Sequence, residues 1–365
     1  MHDEVVDRSS SITFGPQHPV FPEPIQFKLK VVDERVVGAT PVLGYVHRGI
    51  EKAFELNDYK VNPALSAKIC GICSSPHTTA YCRGVEAVLG IDIPPRAKYL
   101  RLILNELNRL HSHVLWFGLL GDAVGFESYF MQTWNYREKI MDMLERMSGH
   151  RVYYAFNAVG GVRRDLSPAL AKEVEGLMGK LEEDFSSIED VVKDYSVKKR
   201  TQKVGVLTTK EAKVTGAVGP TLRASDVAAD LRMTGYDAYA DVKFSPITAT
   251  SCDTYGRAVV RWKELSQSID LIRQALSKLP AGEISVKVPP VVKPGECVSR
   301  VEAPRGELFY YVKGNGTKNL ERCKVRTPTF ANVWPAVAML SKGCEIADVA
   351  VIVLSIDPCI SCTER

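Results

Sequence analysis

Between residues 25 and 31 the apolar side chains Ile25, Phe27, Leu29 and Val31 alternate with Gln26, Lys28 and Lys30. That period of two places one face of a strand in a core. Asp33-Glu34-Arg35 turns the chain into a second extended run, 36–40, and the pair predicts an N-terminal β-hairpin, preceded by a rigid proline-bounded loop over Gly15–Pro19. The period then changes. Pro94-Pro95 suits a first helical turn, and Ile103, Leu107, Leu110, Val114 and Phe117 follow at steps of four and three, the apolar stripe of a helix. A second helical segment is expected around 129–150 and a third, amphipathic and solvated, from Ser167-Pro168 through Asp190. The clearest runs from Asp253 to Leu279, with Trp262, Leu265, Ile269, Ile272, Leu276 and Leu279 in near-heptad spacing and Pro280-Ala-Gly282 as its stop. Beyond it the pattern is irregular. Residues 284–288 and 307–312 read as strands, Thr327-Pro328 opens a short helix ending near Gly343, and 349–356 reads as a buried strand. There is no internal repeat, low-complexity tract or dividing linker. The expectation is one domain, 1–365, of the α+β class and mainly helical: a central helix bundle between an N-terminal hairpin and an irregular C-terminal β region.

Composition narrows the function classes. Hydrophobic residues make up 45% and charged residues 25% of the 365 positions, which excludes general disorder. The 47 basic and 43 acidic residues leave a formal charge of +4 with no long run of one sign, so no nucleic-acid partner is expected. Lys198-Lys-Arg200 reads as a solvated loop. No stretch approaches the ~18 to 20 consecutive apolar residues of a membrane span, and the early acids of Met1–Asp7 do not form a signal peptide.

The cysteines carry the chemistry. There are nine, an odd number in a chain too large to need a disulfide framework. A reducing compartment is expected, where paired cysteines point to metal or redox chemistry. Two pairs stand out, Cys70-Gly-Ile-Cys73 and Cys359-Ile-Ser-Cys362; Cys82, Cys252, Cys297, Cys323 and Cys344 are isolated and read as small buried hydrophobes. Two such pairs can set four thiolates around one soft metal. Cys73 and Cys359 lie 286 positions apart. Zinc ribbons close over ~15 to 20 residues, so a local zinc knuckle is disfavoured although structural zinc stays open. Thioredoxin-type action is disfavoured by the lack of a βαβ context. A site built from both pairs must bring the two ends of the fold together.

The flanks are specific. Lys68-Ile-Cys70-Gly-Ile-Cys73-Ser-Ser-Pro-His77, Asp357-Pro-Cys359-Ile-Ser-Cys362-Thr-Glu-Arg365, Arg48-Gly-Ile-Glu51 and Ala303-Pro304-Arg305-Gly306, in this order, resemble the large, catalytic subunit of nickel-iron hydrogenases over nearly the whole chain. Gly15-Pro-Gln-His18-Pro and Gly44-Tyr-Val-His47-Arg-Gly-Ile-Glu51-Lys are similar to the stretch shared with the 49-kDa quinone-site subunit of respiratory complex I, which marks the membrane-associated, energy-converting (Ech-like) hydrogenases. The complex I relative has lost the metal cysteines; this chain keeps four. Two departures stand out: Lys68 replaces the usual Arg, keeping charge but not the planar fork, and Arg365 stands where many members end in a histidine that helps hold a magnesium-type ion.

The resemblance implies the following roles. Cys70 and Cys359 are terminal nickel ligands, and Cys73 and Cys362 bridge nickel to an iron carrying carbon monoxide and cyanide. Thiolates stabilise nickel and accept protons, as heterolysis of dihydrogen requires. Pro304 and Arg305 sit above the metals; Asp357 anchors Arg305; Asp122 supplies a further acid of that canopy; Glu51 relays protons; His77 hydrogen-bonds a bridging sulfur. His18 is open between a structural and a proton-path role, and His111 and His113 are packing residues. The implied activity is reversible reduction of protons to dihydrogen. Electrons would come from ferredoxin through a small subunit holding a proximal [4Fe-4S] cluster, since this chain lacks cysteines for its own. The further implied partners are a ferredoxin-fed iron-sulfur subunit, integral membrane ion-translocating proteins, and a maturation protease that removes a C-terminal tail. The expected location is peripheral, on the cytoplasmic side of the membrane. A complex I-type quinone subunit without catalytic metal is the alternative.

Overall fold

The computed structural model describes residues 9–365; the acidic stretch Met1–Asp7 lies outside them. The alternation at 25–31 forms the hairpin expected, as β2 (Gln26–Val32) after β1 (Ser10–Phe14) and before β3 (Arg35–Val42), all antiparallel. Phe27, Leu29 and Val31 are buried while Lys28 and Lys30 face solvent. The turn uses Asp33 and Glu34 with φ of 46° and 63°. β1 was not legible because its residues are almost all exposed, so no buried face marks them.

Helices α1 (Ile50–Leu56), α2 (Asn62–Ala67) and α3 (Ser74–Leu89) follow. Then comes α4 (Pro95–Ala123), the axis of the molecule. Its 29 residues span about 43 Å at the usual helical rise. The stripe Ile103, Leu107, Leu110, Val114 and Phe117 is buried as expected, but so are Arg101, Glu106, Arg109, His111 and His113. α4 is surrounded, packing on α5 (Glu127–Ser148) on one side. After the short strands β4 (Asn157–Ala158) and β5 (Gly161–Val162) come α6 (Pro168–Lys193), capped by Ser167, and the short helices α7 (Tyr195–Thr201), α8 (Thr209–Val214) and α9 (Gly219–Arg223). Lys198–Arg200 is therefore the exposed end of a helix rather than a loop. The long helix predicted over 253–279 is α10 (Thr254–Ser277), with the Asp253 carboxylate accepting from the Gly256 amide as its cap, and it packs on α4 and α6.

The C-terminal region holds a three-stranded antiparallel sheet, β6 (Gly295–Ala303), β7 (Gly306–Gly314) and β8 (Leu320–Arg326), lying on α3. Two expectations fail here. Residues 284–288 form no named strand: Val286 N–H donates to Gly160 and Ile284 accepts from Val162, and Pro289-Pro290 then ends the pairing for lack of donors. After α11 (Pro328–Leu340) and β9 (Cys344–Glu345), the run 349–356 is the helix α12 (Val349–Ser355), not a strand. Its β-branched residues favour extension, but it is buried between α4, α10 and α11, and six consecutive apolar residues carry no period to tell the two apart. α13 (Ile360–Glu364) follows.

Candidate metal centre

The two cysteine pairs come together from opposite ends of the chain. Cys70 Sγ lies 3.2 Å from Cys359 Sγ, and Cys73 Sγ lies 3.1 Å from Cys362 Sγ. All four thiols are buried and none forms a disulfide. Cys70, Cys73 and Cys362 hold their sulfurs within 4.8 Å of one another. Hydrogen bonds from Cys359, Cys362 and Cys70 pull the Cys73 thiol well below the usual range, whereas burial pushes Cys362 well above it. Thiols this close cannot all ionise without a cation among them, and soft sulfur donors suit nickel, iron or zinc. The donor set fits a soft metal centre.

The first pair is placed by helix α3: Cys73 precedes its first turn, and the Cys73 carbonyl accepts from the His77 amide. Asn108 on α4 brackets the turn, accepting from Ser75 N–H and donating to the Ile72 carbonyl at 2.6 Å. The second pair follows a sharp reversal. Asp357 has φ of 57°, a left-handed conformation that Asp tolerates better than most residues, and it swings the chain out of α12 into Pro358-Cys359. Glu23 then accepts from the Ile360 and Ser361 amides and from the Ser361 hydroxyl, and Thr329 accepts from Cys359 N–H. Glu364 accepts from the amides of Gly44 and Val46 at 2.6 and 2.5 Å. Arg48 touches both halves, donating to the carbonyls of Lys68, Ile69 and Ser361.

Arg305 covers the sulfurs from inside. Pro304-Arg305 is the two-residue turn between β6 and β7, and both residues are buried. The backbone of α9 presses on this turn so closely that a Cβ on Gly219 (φ 62°) would sit 2.4 Å from the Arg305 carbonyl oxygen, which only glycine avoids. The guanidinium donates to the Asp357 carbonyl at 2.8 Å, the Asp357 carboxylate at 2.7 Å and Ser112 Oγ at 3.1 Å. Burial opposes its charge, while Asp357 and three of the cysteines favour it, and its pKa moves up. His77 bridges Cys362 Sγ at 3.3 Å and the Tyr310 hydroxyl at 2.7 Å.

Glu51 lies in the first turn of α1. It accepts from Arg365 at 2.9 Å, Arg322 at 3.1 Å and the Val325 amide. It lines a surface cavity of about 480 Å³ beside the second pair, together with His47, Phe330, Thr363 and Arg365. Asp122 is the residue that the structure does not bring in. It is exposed at the C-terminal end of α4, ten residues and so about 15 Å of helix beyond Ser112. On α4 it is Ser112 that accepts from Arg305. His18 stacks on Phe14 at 4.2 Å and accepts from the Val20 amide, holding its own loop. His113 is paired with Glu264, and His111 is buried within electrostatic reach of Arg305 and Cys73. Cys82 and Cys323 are buried, and Cys252, Cys297 and Cys344 are half-buried, all away from the centre's contacts.

Pattern reasoning missed Ser112, Tyr310, Glu23 and Thr329. The spacing of Ser112 in a run of α4 histidines gave no chemical signal, and Glu23 works from over three hundred positions away.

Comparison with known proteins agrees with this geometry. The family described as respiratory-chain NADH dehydrogenase, 49 Kd subunit, matches residues 123–294 and 287–365, and nickel-dependent hydrogenase matches residues 48–124. The carbon monoxide-induced hydrogenase of Rhodospirillum rubrum is 39% identical over 97% of this chain and 99% of its own. Subunit alpha of the membrane-bound hydrogenase of Pyrococcus furiosus is 38% identical over 97% of this chain and 87% of its own. Among solved structures, a chain of the membrane-bound sulfane sulfur reductase, an archaeal respiratory membrane complex, superposes with a TM-score of 0.92 at 30% identity, covering 99% of this chain and 100% of that one. Among the described residues, no helix is long and apolar enough to cross a membrane.

Proposed function

Because the chain belongs to the family that unites energy-converting, membrane-associated nickel-iron hydrogenase large subunits with the 49-kDa subunit of respiratory NADH dehydrogenase, we propose that it is the catalytic subunit of such a hydrogenase, reversibly reducing protons to dihydrogen. One observation carries the reading: four buried, unoxidised thiols from both chain ends converge with sulfurs 3.1 and 3.2 Å apart in pairs. A nickel-iron centre held by Cys70, Cys73, Cys359 and Cys362, its iron carrying carbon monoxide and cyanide, would supply the heterolysis of dihydrogen and exchange electrons.

The chain's own residues do the rest. Arg305, fixed by Asp357 and Ser112, holds a cation against the thiolates and keeps donors aimed into a dry pocket, where they act with little reorganisation. His77 hydrogen-bonds Cys362 and so fixes the orientation of a shared sulfur. Glu51, on the solvent side, takes protons to and from the cavity it lines; doing so requires Arg365 or Arg322 to let go of its carboxylate. Electrons arrive from ferredoxin through an iron-sulfur cluster of a small partner subunit, and the chain sits peripherally, facing the cytoplasm, on ion-translocating membrane partners.

The longer of the two family matches favours a second reading, an electron-transfer subunit of the complex I kind that works at a quinone without metal. That reading leaves the thiol cluster without a task. Elemental analysis of the intact complex separates the readings. Nickel supports the hydrogenase, iron from the cluster-bearing partners with neither nickel nor zinc supports the quinone subunit, and zinc in place of nickel overturns both.

A further inference from the structure

The stretch Gly44-Tyr-Val-His47 leads into the wall that holds Glu51, and its histidine has no part in placing the thiols. His47 is exposed and lines the same cavity of about 480 Å³ as Glu51. Its Nδ1 lies 2.6 Å from the Glu364 carbonyl oxygen. A carbonyl only accepts, so Nδ1 carries the hydrogen and Nε2 keeps its lone pair. No described residue bonds that Nε2. The ring is a base fixed in one tautomer by the backbone that ends the second cysteine pair's helix.

The other polar groups of the cavity cannot pass a proton on. Lys52, Arg322 and Arg365 bear positive charge and have no acceptor site. The Thr363 hydroxyl is spent on the Cys359 carbonyl at 2.9 Å, and the Glu364 carboxylate is held by the amides of Gly44 and Val46. Among the described residues lining the cavity, His47 and Glu51 are left.

Glu51 is poorly served by bulk water alone. Two guanidiniums stand over its carboxylate, Arg365 at 2.9 Å and Arg322 at 3.1 Å, and their charge repels an approaching hydronium ion. A neutral imidazole meets no such repulsion, and it is the side chain suited to taking up and returning a proton around neutral pH. The two groups are held near each other. His47 is bonded to the Glu364 carbonyl, and Glu51 is bonded to the next side chain, Arg365. Along the chain they are four residues apart, a span of at most about 14 Å. The cavity that both line has room for on the order of ten waters at about 30 Å³ each. Glu51 Oε2 accepts from Arg322 alone, and Arg322 also holds Glu55 at 2.7 Å. That oxygen can be freed without leaving Arg322 unpaired.

Resting on the hydrogenase reading, we propose that His47 is the outer proton relay of the site, exchanging protons between bulk water and Glu51 through the water of this cavity. Nε2 takes a proton from bulk water while the Nδ1–H bond to Glu364 is kept. The imidazolium then gives its Nε2 proton to a cavity water, which passes one of its own to Glu51 Oε2. His47 is back in its starting tautomer, one proton has moved inward, and no electron has moved. Oxidation of dihydrogen runs the same steps outward.

The test uses the intact complex and two variants. His47→Asn keeps an amide donor where Nδ1 stood but cannot carry a proton in turn. Its nickel content and its infrared bands of carbon monoxide and cyanide should match the parent's, while exchange of deuterium gas with water protons should fall about a hundredfold, the lower end of what such a group contributes. His47→Gly leaves a ring-sized gap. Added imidazole should restore its exchange, and pyrazole, alike in shape but a far weaker base, should not. Imidazole should not restore Glu51→Gln, whose missing group lies inward of the ring. Independently of turnover, the infrared bands of isotope-labelled histidine that differ between parent and His47→Asn should report hydrogen on Nδ1. Exchange within a few-fold of the parent in both variants overturns the proposal. So does a loss that imidazole leaves unchanged, equal rescue by pyrazole, rescue of Glu51→Gln, hydrogen on Nε2 alone, or loss of nickel from both variants. A parent complex without nickel overturns the functional reading instead, and shows it before any variant is made.

Discussion

The two halves of the thiol site contribute the same Cys-x-x-Cys unit and are built by opposite means. Cys70 and Cys73 stand at the head of the 16-residue helix α3, which is buried along most of its length and packed on α2, α4 and the β6–β8 sheet. Cys359 and Cys362 flank and occupy a five-residue helix, too short to hold itself. That half is fixed by the reversal at Asp357 and by side chains from far along the chain: Glu23, Thr329, and Glu364 reaching back to Gly44 and Val46. Helix packing makes one half rigid before any metal is present. The other half depends on a few polar contacts, and metal binding should do most to order it.

Removing a shared sulfur breaks both halves at once and carries the largest effect. Cys73→Ser or Cys362→Ser replaces a soft thiolate with a hydroxyl, so nickel should be absent from the purified complex and the infrared bands of carbon monoxide and cyanide should vanish. Bands unchanged in either variant would exclude these ligands.

Asp357 comes next. Asp357→Asn keeps a side chain that tolerates the left-handed turn but leaves Arg305 buried without its carboxylate, a loss of about 3–5 kcal/mol for a broken buried pair. Asp357→Ala should be worse by about 1 kcal/mol, because alanine also resists the positive φ. Urea unfolding of the two variants measures both; equal stabilities would show that the turn stores no conformational preference.

Glu23 sharpens the contrast between the halves. Glu23→Gln weakens charge-assisted bonds to Ile360 and Ser361, each worth about 1.5–3 kcal/mol in general. Metal release to a chelator should accelerate by about tenfold, one such bond's lower bound. Hydrogen exchange should rise over 359–365 and stay unchanged over 70–89. Equal loosening of α3 would erase the distinction.

The smallest effect is expected at Arg48, which is largely exposed and bridges both halves. Arg48→Lys loses the fork that reaches two carbonyls at once. Metal release should quicken by only about twofold, within the modest worth of an exposed contact.

The same contrast explains what could be read without coordinates. The long amphipathic helices α4 and α10 and the hairpin at 26–42 were legible because each buries one periodic face. The cysteine pairs were legible because a soft metal calls for paired thiolates at that spacing, and their flanks because they resemble a known family. Three features were not. α12 is apolar up to Ser355, its last residue, so its pattern has no period and a strand was the wrong choice. Asp122 was expected from the resemblance as a further acid over the metals, but helical rise carries it to the exposed end of α4, and it is Ser112 that accepts from Arg305. Glu23 and Thr329 support the second pair across gaps of sequence that no local pattern records.

The central claim is that the four thiols hold a nickel-iron centre. It is tested most directly by elemental analysis of the intact complex, read together with its infrared spectrum. The account predicts nickel, with iron beyond what the partners' iron-sulfur clusters hold, and bands from metal-bound carbon monoxide and cyanide, with the nickel and the bands lost in Cys362→Ser. Zinc in place of nickel, or neither nickel nor zinc with the complex fully assembled, would contradict it.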